Sequence, residues 1–352
     1  VTLSIDSNIQ YIAEREIESQ IKRSSAISGT LIVMNVKTGE ILALASKPDF
    51  NPNEFGKASN KLWHPRFLDP YEPGSTFKIF TAAAGIEQGV IKADSKLKAL
   101  DEIVVGGKTI KNSHKIDFGG PAISISKMLE QSVNTATSQV GLKLGPQKFY
   151  DMIARFGFGE RTGFGMLSES PGIVKEPKNW YKSDVAMITF GQGIAVTPMQ
   201  LISAISAFAN NGKVVRPCLI KKVESEDGKF MKIYSGEWRG NAISGKTAAD
   251  MRQLLRNVVT KGSGRRASME GFTVGGKTGT AQKAAPGGRG YMKGNFIASF
   301  IGIAPMNDPQ IAALVIIDDP KGSIWGESVC GPVFKNVVEF TLRYLNTKPD
   351  VL

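Results

Sequence analysis

A mixed α/β (α+β) fold is predicted for this 352-residue chain by three observations. Strand-like apolar runs lie near both ends of the sequence, helical periodicity dominates the middle, and an amphipathic stretch near residue 250 joins the two regions. One sheet assembled from the two ends, with helices packed on it, satisfies all three. The sheet lobe is expected over approximately 1–62 and 241–352. A mainly helical lobe is expected over approximately 63–240, with a cleft between the lobes as the natural place for a site.

The elements follow in order. Val1 to Ile5 reads as a strand. Asp6-Ser7 can cap a helix whose Ile9, Ala13, Ile17 and Ile21 recur on one face. Thr30 to Val36 and Ile41 to Ala45 flank Lys37-Thr38-Gly39-Glu40, a hairpin pattern. Residues 46–74 are rich in Pro, Asn and Gly and read as irregular. From Ser75 to about Gln88 the pattern is helical, with Gly89 as a stop. Residues 124–143 and 147–156 also read as helices, and another runs from about Thr197, with Pro198 at a first helical position, to Asn210. Short strands and turns fill 214–243. In Thr247 to Lys261, Met251, Leu254, Leu255, Val258 and Val259 make one stripe, and Gly262 ends it. Strands are expected at 272–282, 296–304 and 311–318, and a helix from about Val333 to Leu345 closes the chain.

Composition excludes several classes. Two cysteines, Cys218 and Cys330, make neither a disulfide framework nor a CxxC metal site. Two histidines, His64 and His114, leave little for a histidine-dependent triad, so an enzyme of this sequence needs a lysine or carboxylate base. No apolar run approaches the roughly 18–20 residues of a membrane span. The abrupt strand-like start suggests an excised piece with any targeting segment upstream. The net charge of +12 favours an anionic partner such as a wall polymer or lipid head groups. No basic-aromatic array marks a nucleic-acid surface, and no nucleic acid is expected.

Three motifs carry chemistry. Ser-x-x-Lys occurs at Ser19, Ser75, Ser95 and Ser124, and alone it is weak. Ser75 stands apart because Glu72-Pro73-Gly74 sets it at a helix start, with Lys78 on the same face and the positive helix end nearby. In isolation it would read as an N-cap with a solvated lysine. Ser132-Val133-Asn134 would alone read as a polar break between helices. Lys-Thr-Gly occurs at Lys37, where it is turn chemistry, and at Lys277-Thr278-Gly279-Thr280, in a glycine-rich strand where close approach of a ligand backbone would explain the glycines. Residues 271–278 also fit GxxxxGK[ST], but Gly279, Pro286 and further glycines follow instead of a helix, so this match is set aside.

Ser75-x-x-Lys78, Ser132-x-Asn134 and Lys277-Thr-Gly279, in that order, are the motif set of penicillin-binding proteins and β-lactamases. Met34 to Ala43, Glu72 to Lys78, Phe156 to Gly159, Phe190 to Pro198 and Gly276 to Ala281 extend the match. Over nearly its full length the chain resembles the transpeptidase domain of class B penicillin-binding proteins, most closely the cell-division, FtsI-like branch. The resemblance implies one transpeptidase domain over 1–352, with an antiparallel sheet flanked by helices and an all-helical lobe. It implies a peptidoglycan D,D-transpeptidase that joins stem peptides through a serine acyl-enzyme, uses no cofactor or metal, and is acylated by β-lactams at Ser75. By the same resemblance Lys78 is the base, its pKa lowered by burial and by Lys277. Ser132 relays protons, and Asn134 bonds Lys78 and the substrate amide. The backbone N–H groups of Ser75 and Thr280 form the oxyanion hole. Thr278, Gly279 and Thr280 bind the donor, with Lys277 drawing its carboxylate. It also implies septal duty, division partners reached through an N-terminal pedestal, and anchoring by an N-terminal helix outside this sequence at the periplasmic face of the bacterial inner membrane. A β-lactamase or a penicillin-sensing receptor of the same fold is the alternative; Glu176 before Pro177 is the nearest counterpart of a deacylating glutamate. The segment 284–293, beside the site and glycine-rich, is expected to be mobile.

Overall fold

The computed structural model describes residues 1–352 except 60, 61, 63, 64, 166, 167, 235, 286–289 and 352. His64 and the centre of the 284–293 segment therefore lie outside the described residues. Strands β1 (Ser28–Asn35), β2 (Ile41–Lys47), β3 (Gly275–Ala284), β4 (Tyr291–Ala304) and β5 (Ile311–Asp318) form a five-stranded sheet in the order β3-β4-β5-β1-β2. Every neighbouring pair is antiparallel. The ends of the chain meet where β5 pairs β1, with Leu314 opposite Ile32.

The sheet is covered on both faces, which is why its strands read as continuous apolar runs. Alternate residues enter opposite cores. Ile32, Met34, Leu314 and Ile316 join one, and Leu31, Val33, Ala313 and Val315 join the other. Helices α1 (Ser7–Ser24) and α9 (Gly331–Tyr344) supply the second core. Asp6 caps α1 by accepting from the Asn8 and Ile9 amides.

The other face carries α2 (Lys78–Glu87), α7 (Pro198–Ala209) and α8 (Gly245–Lys261). The expected α8 stripe of Met251, Leu254, Leu255, Val258 and Val259 is buried throughout. A capping box between Thr197 and Gln200 starts α7. The middle of the chain adds α3 (Ile125–Glu130), α4 (Asn134–Leu144), α5 (Pro146–Arg155) and α6 (Lys182–Ile188).

Three local features differ from the sequence reading. The helix expected from Ser75 begins as a 3-10 turn, Gly74–Phe77, and becomes α-helical only at Lys78. The stretch 124–143, read as helical throughout, is two helices; the break falls at the polar Ser132-Val133-Asn134, where Ser132 takes a left-handed backbone with φ of 57° that the sequence did not show. A hairpin of Glu102–Val105 and Lys108–Lys111 projects from the helical region. No helix among the described residues is long and apolar enough to cross a membrane.

Candidate active site

Three elements converge where β3, the edge of the sheet, passes the 3-10 turn that opens α2. Gly279 lets them approach: a Cβ there would lie 2.3 Å from Ser299 Oγ, 3.0 Å from Thr76 Cγ2 and 3.3 Å from the Pro73 carbonyl. The crowding at this glycine comes from Ser299 on β4 and from the turn itself. Ser75, the second residue of the turn, keeps its backbone N–H free of any intrahelical partner.

Lys78 and Lys277 are both fully buried. Their amines meet at one hydroxyl: Lys78 Nζ lies 3.1 Å from Ser132 Oγ and Lys277 Nζ lies 3.0 Å from it. Lys78 also donates to the Ser132 carbonyl at 2.5 Å, an acceptor brought round by the left-handed backbone at that residue. Lys277 donates to the Thr278 carbonyl at 3.1 Å. Among the described residues neither lysine has a carboxylate partner. Burial, and then the charge of Lys277, hold the Lys78 amine well below its ordinary range. Burial alone brings Lys277 down to about 7. No hydrogen bond joins Ser75 to Lys78, whose amine is engaged by Ser132; catalytic contacts of this kind often tighten only on forming the reacting complex.

Two recesses share Ser75, Ser113, Thr280 and Trp325 in their linings. One, of about 710 Å³, runs along Thr280, Ala281 and Gln282 and includes Asn134. The other, of about 270 Å³, holds Ser132, Ser263 and Thr278. Asn134 departs from expectation. Its Nδ2 donates to the Lys111 carbonyl at 2.9 Å, not to Lys78, because Asn134 opens α4 beside the 102–111 hairpin. Thr280 Oγ1 accepts from the Gly326 amide at 3.4 Å.

Some contributors were not singled out by sequence reasoning. Ser263 Oγ lies 2.9 Å from Thr278 Oγ1 and fixes that hydroxyl. Its Gly262-Ser263-Gly264 setting is a turn signal, and Gly262 is required because a Cβ would fall 2.6 Å from Glu130 Cα. His114 packs edge-on to Trp325 at 6.2 Å, and burial, with Lys78 and Lys277, lowers its pKa. Glu176 is exposed and paired with Lys178, away from both recesses. The 271–278 segment leads into a paired strand, not a phosphate loop.

Residues 29–339 match the family model described as the penicillin binding protein transpeptidase domain. The chain belongs to the penicillin-binding protein transpeptidase family. Among class B relatives, it is 34% identical over 353 residues to stage V sporulation protein D of Bacillus subtilis, covering 99% of this chain and 54% of that protein. It is 30% identical over 354 residues to the peptidoglycan D,D-transpeptidase FtsI of Escherichia coli, covering 100% of this chain and 57% of that one. The chain thus spans little more than half the length of these curated relatives. A crystal structure of penicillin-binding protein 3 from Mycobacterium tuberculosis complexed with aztreonam superposes with a TM-score of 0.91 at 30% identity, covering 100% of this chain and 81% of that one. The transpeptidase domain of Burkholderia pseudomallei penicillin-binding protein 3 gives a TM-score of 0.85 at 29% identity, covering 99% and 98% of the two chains. The antiparallel, helix-flanked sheet is therefore that of penicillin-binding transpeptidase domains.

Proposed function

We propose that this chain is the catalytic domain of a peptidoglycan D,D-transpeptidase, with its two lobes over about 1–62 plus 241–352 and about 63–240. The observation that carries this reading is the pair of buried amines, without a carboxylate partner among the described residues, that share the Ser132 hydroxyl beside Ser75. A serine is a poor nucleophile until a base takes its proton. Neutral Lys78 takes the Ser75 hydroxyl proton as Oγ attacks the carbonyl carbon of the D-alanyl-D-alanine bond. The backbone N–H groups of Ser75 and Thr280 hold the oxyanion, a contribution of about 3 kcal/mol per donor.

Collapse breaks the carbon–nitrogen bond. The departing amine takes a proton from the Ser132 hydroxyl, which Lys78 replenishes, and the acyl group remains on Ser75. An acceptor amine then attacks this ester, the new amide forms, and Ser75 recovers its proton. Charged Lys277 and the Thr278 and Thr280 hydroxyls draw the donor's terminal carboxylate. The donor backbone lies along the outer edge of β3 with Gly279 at its centre, and Asn134 meets its amide after leaving Lys111.

β-Lactams imitate the donor and acylate Ser75. Duty in septal wall synthesis at the periplasmic face, with membrane anchoring and division partners supplied by other parts of a longer protein, extends the reading; the FtsI likeness supports it. The test is intact-mass spectrometry after benzylpenicillin, with peptide mapping. A single stable adduct on Ser75, absent in Ser75→Ala, together with transfer of a stem peptide to an acceptor amine, is expected. Rapid penicillin turnover, or an adduct elsewhere, overturns the reading.

A further inference from the structure

The turn that carries Ser75 is stitched to a neighbouring strap, residues 190–196. Tyr71 and Val196 exchange both backbone hydrogen bonds at 3.0 and 2.9 Å, and the Gly74 amide donates to the Gly191 carbonyl at 3.2 Å. Gly191 presses so closely that a Cβ would lie 2.3 Å from the Gly74 carbonyl oxygen. Between these stitches sits Glu72, half-buried. Its Oε1 accepts from the Gly193 amide at 2.8 Å. The Tyr291 hydroxyl, on the first residue of β4, interacts with the same carboxyl. Oε2 is buried and has no hydrogen-bond partner of normal geometry among the described residues. The donor-side recess is lined from these same segments: Gly74 and Ser75 from the turn, Phe190 and Gln192 from the strap.

We propose that Glu72 is a positioning residue whose carboxyl clamps the nucleophile turn, the 190–196 strap and the start of β4 into one unit. The clamp sets the nucleophile against the cleft wall; the inference rests on the acyl-transfer reading above. Glu72 itself lines neither recess. Burial, the larger influence, raises its pKa, and the Gly193 amide and Tyr291 partly oppose this. Burial and Glu72 in turn raise the pKa of Tyr291, the titratable group that faces the carboxyl. The carboxyl acts as an acceptor on both sides: Oε1 accepts from the Gly193 amide, and the Tyr291 hydroxyl donates to the group, the direction in which the contact lowers the Glu72 pKa and raises that of Tyr291. A glutamine keeps the acceptor for the Gly193 amide and fills the same space without a charge, its amide and the Tyr291 hydroxyl being free to bond in either direction.

The experiment follows benzylpenicillin acylation of Ser75 by intact mass in wild type, Glu72→Gln, Glu72→Ala and Tyr291→Phe. Glu72→Gln is expected within about twofold of wild type, and Glu72→Ala about tenfold slower, the scale of a displaced nucleophile. Tyr291→Phe is expected to slow acylation about threefold, and to add little in the Glu72→Ala background, since both remove one contact.

Thermal unfolding against pH gives a second readout. The folded state keeps the Glu72 proton above the pH at which the unfolded chain loses it, so stability falls as pH rises through that window, and Glu72→Gln flattens the slope. Wild-type rates in both Glu72→Ala and Tyr291→Phe overturn the proposal. So does a loss in Glu72→Gln equal to that in Glu72→Ala. Should Glu72→Ala not fold, Tyr291→Phe and the glutamine rescue decide. If wild type itself is not acylated, the transpeptidase reading fails, while the pH slope still tests the clamp.

Discussion

At the residue scale the proposed mechanism needs two amines in opposite protonation states. In that proposal acylation needs Lys78 as the free base and Lys277 as the cation that draws a carboxylate. The rate therefore rises with pH as Lys78 loses its proton and falls as Lys277 does, which burial places at about 7. Because both amines contact Ser132 Oγ, the two limbs belong to the pair and not to either lysine alone. A bound carboxylate favours the charged form of Lys277. The falling limb of the saturated rate is thus expected at higher pH than that of the second-order rate constant. Stopped-flow acylation by a chromogenic cephalosporin measures both; flat profiles from about pH 5 to 9 would contradict the assignment of Lys78 as base.

At the element scale, the position of β3 against the turn opening α2 sets the reacting geometry. Gly279→Ala puts a methyl group against the Ser299 hydroxyl, which can rotate, and against Thr76 and the Pro73 carbonyl, which yield only if the turn shifts. The expected cost is about 1–3 kcal/mol of stability and about tenfold to a hundredfold in acylation, read by mass-spectrometric time course. Acylation at the wild-type rate would show that the contact does not position the nucleophile.

Elements of this kind were legible in sequence when their signals were local. The α8 stripe repeats with helical period, β1 and β5 are apolar runs, and Lys78 follows Ser75 by less than one turn. What escaped depends on register between distant segments. Asn134 meets Lys111 because a hairpin folds over α4, and Ser263 meets Thr278 because α8 ends beside β3. The break at Ser132 was legible as a polar interruption between helices, but its left-handed backbone was not, since a serine there carries no glycine to mark it.

At the scale of the whole molecule, burying two amines costs stability. The unfolded chain holds Lys277 protonated up to its ordinary 10.5, whereas the folded chain releases that proton at about 7. Between those values the unfolded state binds more protons, so stability rises with pH across the window. At pH 7 the penalty amounts to several kcal/mol, more than the roughly 1–3 kcal/mol left by acceptors deprived of a donor. Lys277→Met is therefore expected to raise the melting temperature by a few degrees at pH 7 and to flatten its rise toward alkaline pH, while acylation collapses. A lowered melting temperature would mean that the bonds to Ser132 and Thr278 outweigh desolvation.

Finally, Ser132 Oγ owns a single hydrogen and two lone pairs. If both neighbouring nitrogens are ammonium groups, each fills a lone pair, and the hydrogen must turn outward to the cleft. Once Lys78 gives up its charge, its nitrogen competes for that hydrogen and draws it inward. The hydroxyl is thereby a pointer whose direction registers how many protons the ensemble holds, and it faces a leaving nitrogen only after Lys78 has been recharged by the nucleophile it deprotonated.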